Sequence, residues 1–150
     1  LVLTTPYFVP DEVLLTALSS AALRGVAVTL IVPERVDSKL VRHASNACLG
    51  DLAEAGVRVL FFEGGLLHTK SVTVDEELSL IGTLNLDPRS FYLNFEITLA
   101  VYDRTFSRSL RALQQTYVDQ SRSMDLDVWN ARSGLARFAD NAARLLSPLL

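Results

Sequence analysis

Residues 27–32, Ala-Val-Thr-Leu-Ile-Val, form an aliphatic and β-branched run that Pro33 stops. A run without polar alternation suits a strand covered on both faces, and such strands sit in sheets with helices above and below. The flanking chain repeats the theme. Residues 1–4 read as a second short buried strand, ended at Thr5-Pro6 where proline withdraws a backbone donor, and 57–62 as a third. Between them, Asp11 and Glu12 open a helix with an apolar stripe at Val13, Leu14, Ala17, Leu18 and Ala21, closed by Gly25. Asp37-Ser38 caps a second helix carrying Leu40, Val41, Ala44, Ala47, Cys48, Leu52 and Ala55 inward, closed by Gly56. Strand–helix alternation implies parallel strands with right-handed crossovers, whose sites gather at the strands' carboxyl ends. The loops 6–10 and 33–37 belong at that edge.

After Glu63-Gly64-Gly65 the pattern changes. Residues 67–74 and 78–81 read as strands joined by the polar turn Asp75-Glu76-Glu77, a hairpin signal. A further strand, 95–102, puts Phe95, Ile97, Leu99 and Val101 on one face and Glu96, Thr98 and Ala100 on the other. Phe106, Leu110, Leu113 and Tyr117 mark another helix. Beyond Asp125, Leu135, Phe138, Ala142, Leu145 and Leu149 recur at helical spacing, with Arg132, Arg137 and Arg144 interspersed. The expected fold is α/β: a mixed, mostly parallel β-sheet flanked by helices on both faces. Residues 1–120 are expected to form one compact unit and 121–150 a carboxyl-terminal helical tail packed on it.

A chain of 150 residues with 49% hydrophobic content can bury one substantial core. Its net charge of −3 argues against a nucleic-acid-coating surface, and no nucleic-acid partner is expected. The lone Cys48 excludes an internal disulfide and reads as a buried thiol; His43, among small helical residues, reads as structural or solvated. No run approaches the roughly 20 apolar residues of a membrane span, and no signal-peptide pattern opens the chain, so this stretch is expected to be soluble. It begins at Leu1-Val2-Leu3, already inside a strand pattern, as a piece of a longer chain would.

The chemistry concentrates after residue 67. In an extended strand His68 and Lys70 point the same way, placing a proton carrier or nucleophile beside a cation. Phosphodiester cleavage needs an attacking group, a proton donor and positive or hydrogen-bonding groups around the phosphate oxygens. His68, Lys70 and Asn85 are groups of those kinds. Glu96 stands in an otherwise apolar strand, where an ionised carboxylate needs a partner, and the ring N–H of a neutral histidine suits it. A metal site from His68, Asp75 and Glu96 fits poorly, because Lys70 would stand beside the ion and alternation separates His68 from Asp75.

Three elements follow in order: His68-x-Lys70-x4-Asp75, Gly82-Thr83-x-Asn85 and Glu96. Together they resemble the signature of the phospholipase D superfamily. The wider text is similar to the carboxyl-terminal half of bacterial cardiolipin synthases, in Pro6-Tyr7-Phe8-Val9-Pro10-Asp11-Glu12, Asn85-Leu86-Asp87-Pro88-Arg89-Ser90-Phe91 and Leu93-Asn94-Phe95-Glu96. The ending Ala143-Arg144-Leu145-Leu146-Ser147-Pro148-Leu149-Leu150 resembles that family's terminus, so the likeness covers the whole chain.

The resemblance implies a phospholipase D-like fold, with His68 as one of two active-site histidines and Lys70, Thr83 and Asn85 binding phosphate. It implies that Glu96 orients His68 and that Asp75 braces the structure. It further implies a phosphohistidine intermediate, no metal and no cofactor. The expected reaction is phosphatidyl transfer between two phosphatidylglycerol molecules, giving cardiolipin and glycerol at the bacterial cytoplasmic membrane. With one His-x-Lys motif present, this chain is expected to supply half of an active site and to be inactive alone. The other half is expected upstream in the same natural chain, or from a homodimer partner. The alternatives are a phosphodiesterase, phospholipase D or nuclease of the same superfamily, and, from another class, a non-catalytic phosphate- or lipid-binding module. Tyr7 and Phe8 read equally as packing or as a surface for glycerol or an acyl chain. The apolar tail is expected to dock on its own domain, with bilayer adhesion and packing against the absent half as other readings.

Overall fold

The computed structural model describes residues 1–145. The first half alternates as expected: β1 (Val2–Thr4), α1 (Glu12–Leu23), β2 (Thr29–Pro33), α2 (Lys39–Glu54) and β3 (Arg58–Phe62). The second half runs β4 (Ser71–Val74), β5 (Leu78–Gly82), α3 (Pro88–Tyr92), β6 (Thr98–Val101), α4 (Arg104–Asp119), β7 (Ser121–Ser123), α5 (Leu126–Asn130) and α6 (Gly134–Leu145). The strands make one sheet in the order β6-β5-β4-β1-β2-β3-β7.

The caps are those read from the sequence. The Asp11 carboxylate accepts from the Leu14 N–H at 2.8 Å and the Ser38 hydroxyl from the Val41 N–H at 3.3 Å. Past α1, Gly25 takes φ +90°, a conformation closed to most side chains, and its N–H reaches the Ala22 carbonyl at 2.9 Å.

Strand alternation sorts the core into two layers. On one face Leu3, Leu30, Val32, Val59 and Phe61 meet Leu18 of α1 and Leu49 and Leu52 of α2. On the other, Val2, Ile31, Leu60 and Phe62 meet Tyr117 and Val118 of α4. Helices thus cover both faces, as expected for this α/β class. Each fully buried aliphatic side chain contributes about 1.5–3 kcal/mol relative to exposure.

The sheet is less parallel than the sequence suggested. Only β1–β2 and β2–β3 pair in parallel, while β1–β4, β4–β5, β5–β6 and β3–β7 are antiparallel. The tight turn between β4 and β5 forces antiparallel pairing there, and β6 returns past α3 to lie antiparallel on β5. The return strand β7, too short and polar to read from its sequence, adds a fourth antiparallel pair, so the sheet runs past residue 120. The strand expected at 67–74 begins only at Ser71, because β1 ends at Thr4, opposite Ser71. Pro6 cannot extend that ladder for the residues before it.

Two amphipathic expectations are corrected. Ser107 and Gln114 of α4 are fully buried, with Gln114 Nε2 donating to the Ser71 hydroxyl at 3.1 Å and Ser79 bonded to Ser107 at 2.9 Å. The expected Phe106 and Leu113 are exposed. The strand residues beneath α4 there are Ser71, Thr73 and Ser79, and a polar floor favours a polar helix face.

Helix α6 packs on α2, but through Asp140 and Ala143, while Leu135, Phe138 and Leu145 of the apolar stripe face outward. Asp140 explains the choice, accepting from Arg132 at 2.7 Å and lying 2.7 Å from His43 Nδ1. Leu149, the last residue of that stripe, and the terminal motif from Leu146 onward lie outside the described residues. No helix among the described residues is long and apolar enough to cross a membrane.

Leu52, fully buried between α2 and the sheet, is the test of this packing. Leu52→Ala is expected to lower stability by about 2–5 kcal/mol, measured by chemical denaturation.

Candidate active site

Sheet register brings the motif residues together. Ser71 pairs with Thr4 on one side and Ile81 on the other, and Gly82 pairs with Thr98. The start of β4, the end of β5 and the start of β6 therefore meet at the carboxyl edge of β1. His68 to Lys70, Thr83 to Asn85 and Glu96 all lie in the segments just beyond those strand ends. Asp75 lies at the opposite edge, in the β4–β5 turn. It and Glu76 adopt φ of 48° and 54°, a pair of left-handed residues suited to a tight hairpin. Aspartate tolerates that region better than most side chains.

The alternation inferred around Lys70 persists although the segment is outside the ladder. Thr69 turns toward α4, its hydroxyl 3.0 Å from that of Tyr117, and Lys70 lines a cavity on the α1 face. The Lys70 ammonium donates to the His68 carbonyl at 3.0 Å, which leaves further N–H donors for a ligand. Partial burial pushes this ammonium below its ordinary value, against the pull of Glu96 and Asp87.

Glu96 is drawn into the same cluster. Asn94 Nδ2 donates to it at 3.1 Å. Hydrogen bonding from Thr83 and Asn94 holds its carboxyl below the usual range, with smaller help from Ser90 and Lys70. Among the described residues no hydrogen bond joins Glu96 to His68, whose side chain is exposed. Thr83 fastens the edge, its hydroxyl accepting from the Ile97 N–H at 3.0 Å and its own N–H reaching the Ile97 carbonyl at 2.9 Å.

Asn85 opens onto a cavity of about 260 Å³ shared with Tyr7, Ser90 and Asn94. Among the described residues its buried Oδ1 has no hydrogen-bond partner. The loop after β1 forms the cavity's other wall. Thr5 Oγ1 donates to the Tyr7 carbonyl at 2.7 Å and accepts from the Leu86 N–H at 3.4 Å, and the Val9 N–H reaches the Leu86 carbonyl at 2.9 Å. Tyr7 is then held from the far side by its hydroxyl, which donates to Asp37 at 2.9 Å.

Ser90 and Asn94 were not singled out from the sequence. Asp87-Pro88 was the available signal: an N-cap followed by proline at the first helical position, which folds α3 back so that Ser90 and Asn94 approach Glu96. Among the described residues, no three His, Cys, Asp or Glu side chains are grouped as a metal would require.

Two substitutions test the cluster. Glu96→Gln removes an anion that raises the Lys70 pKa, so a lower Lys70 pKa is expected in an NMR titration. A Cβ at Gly82 would collide with the Ile97 carbonyl of the adjoining segment. Gly82→Ala is therefore expected to cost about 1–3 kcal/mol in chemical denaturation and to perturb the amide resonances of Thr83 and Ile97.

The family described as "Cardiolipin synthase, PLD-like domain" matches residues 1–117. Cardiolipin synthase A proteins of several Escherichia coli strains are 53% identical over 150 residues, all of this chain and 31% of theirs. The chain thus spans about a third of the length of those relatives. Among solved structures, Nuc of Salmonella typhimurium, a phospholipase D family member, matches at a TM-score of 0.73 and 22% identity, over 81% of this chain and 79% of that one. Phosphatidylserine synthase of Haemophilus influenzae matches at 0.73 and 21%, over 99% of this chain and 41% of its own. The register-built edge, the ordered motif and a match over most of its length lead to one conclusion: this chain belongs to the phospholipase D-like domain family of cardiolipin synthases.

Proposed function

We propose that this chain is the carboxyl-terminal catalytic half of a cardiolipin synthase, an enzyme that moves a phosphatidyl group from one phosphatidylglycerol to another and releases glycerol. The observation that carries this reading is the convergence of Lys70, Thr83, Asn85 and Glu96 at one sheet edge, in a chain 53% identical throughout to cardiolipin synthases. In this reading a histidine nitrogen attacks phosphorus and the bond to the glycerol headgroup breaks. A second histidine protonates the departing glycerol oxygen. A hydroxyl of the other phosphatidylglycerol then gives its proton to that second histidine and attacks the phosphohistidine, and the P–N bond breaks. His68 is one member of the pair. The other comes from a first half in the same natural chain, or from a second copy.

Lys70 and the Asn85 amide hold the non-bridging oxygens of the phosphate. At about 4 Å and an effective dielectric near 20, one lysine attracts a phosphate charge by roughly 4 kcal/mol before desolvation. The lowered pKa of Lys70 fits a partly dehydrated pocket in which such a charge is felt more strongly. Glu96, tied to Asn94 and close to Lys70, keeps the cradle in place and offers a carboxylate to an imidazole. Asp75 braces the β4–β5 hairpin from the far edge. No metal or cofactor is invoked, and the parent protein works at the bacterial cytoplasmic membrane.

His68→Ala in the full-length enzyme is expected to abolish cardiolipin formation in phosphatidylglycerol vesicles. The products distinguish the reactions: cardiolipin and glycerol support transfer, whereas phosphatidic acid would mean that water is the acceptor. Retained turnover in His68→Ala would overturn the role given to His68.

A further inference from the structure

A second cavity meets the site from the other side of Lys70. It lies between α1 and the β1–β4–β5 part of the sheet and encloses about 330 Å³. Leu3, Leu14, Leu18, Leu80, Leu84 and Phe91 supply much of its wall, and among the described residues Lys70 is the one charged side chain lining it. Protein interiors leave few voids larger than a water molecule, and ligand cavities begin at about 300 Å³. Its size is that of a binding cavity.

The wall selects among occupants. An extended polypeptide brings backbone donors and acceptors that an almost wholly apolar lining cannot satisfy, and a helix, which bonds its own backbone, would set an apolar face against Lys70 and leave that cation without an anionic partner. A hydrocarbon chain has no such requirement. The single cation marks where a charged head would sit. Backbone alternation makes the connection: Leu84 and Leu86 line this groove, while Asn85 between them lines the neighbouring cavity with Ser90 and Asn94.

We propose that this groove takes one acyl chain of the phospholipid whose phosphate rests on Lys70 and Asn85. The proposal builds on the phosphatidyl-transfer reading and adds to it a surface that recognises the lipid tail. Selectivity follows, because a substrate whose chains are too short to fill the groove forgoes this contact.

The experiment uses the full-length parent enzyme with dioleoyl- and dihexanoyl-phosphatidylglycerol. Leu14→Trp fills the groove from the helix side and Leu80→Trp from the sheet side. Each is expected to lower the long-chain to short-chain ratio of kcat/KM by about tenfold, the scale of discrimination a hydrophobic pocket provides. In the unaltered enzyme, phosphatidylglycerol carrying a photoreactive diazirine at the end of one acyl chain is expected to label peptides holding Leu14, Leu18 and Leu80. An unchanged ratio in correctly folded variants, or labelling confined to residues outside the groove, would overturn the proposal. The two readings fail separately. Groove labelling without cardiolipin formation would keep the groove and end the transfer reading; cardiolipin formation with labelling elsewhere would do the reverse.

Discussion

A three-residue strand holds the molecule together. β1 is buried along its length and pairs in parallel with β2 on one side and antiparallel with β4 on the other. On the β2 side β2 and β3 run parallel through helical crossovers with antiparallel β7 at the rim, and on the β4 side every pairing is antiparallel. The ladder bonds of Val2, Leu3 and Thr4 join the two halves, and because Thr4 faces Ser71 they fix where Lys70 falls relative to the loop that follows β1. A slip of one residue would turn Lys70 away from the groove and Thr69 toward it.

At that junction the polar groups of three strand ends converge. A lysine is partly withdrawn from water, a carboxylate is held by hydroxyl and amide neighbours, and an amide oxygen is buried without a partner among the described residues. The hydrogen bonds to Glu96 favour its charged form, and the Lys70 ammonium keeps N–H donors beyond the one spent on the His68 carbonyl. The aromatic and aliphatic side chains near it are turned outward: Tyr92, Leu93, Phe95 and Ile97 are largely exposed beside Glu96.

How legible was this in the sequence? The parallel half could be read well, because covered strands and capped helices leave local marks: Asp11, Ser38, Gly25 and Gly56 each sit where a helix end demands them. β7 could not be read, since three polar residues depend on what they pair with, and the five-residue α3 left only the cap Asp87-Pro88 as a mark. The faces of α4 and α6 were misread for a related reason. A hydrophobic stripe predicts burial only if the opposing surface is apolar, and Gln114 and Asp140 instead meet polar partners from distant segments, Ser71 and His43. In the site, the motif named Lys70, Thr83, Asn85 and Glu96, and the register shows them at one edge. Ser90 and Asn94 carry no spacing signal and enter through the turn at Asp87.

The stitch between Thr5 and Leu86 spans 81 residues of sequence. Synthesis delivers the chain from its amino end, and local units form before distant ones close. The parallel strands can assemble while β1 still presents a bare edge where β4 will lie. That edge stays open until residues 71–74 arrive, and the Tyr7 loop has no wall to lean on until Leu86 does. Closure of the edge that gathers Lys70, Thr83 and Asn85 is thus tied to the later segments: a polypeptide interrupted before Ser71 keeps a parallel half-sheet whose β1 edge is unsealed and prone to wrong pairing, and one interrupted before Asn85 lacks the segment that closes the Tyr7 loop.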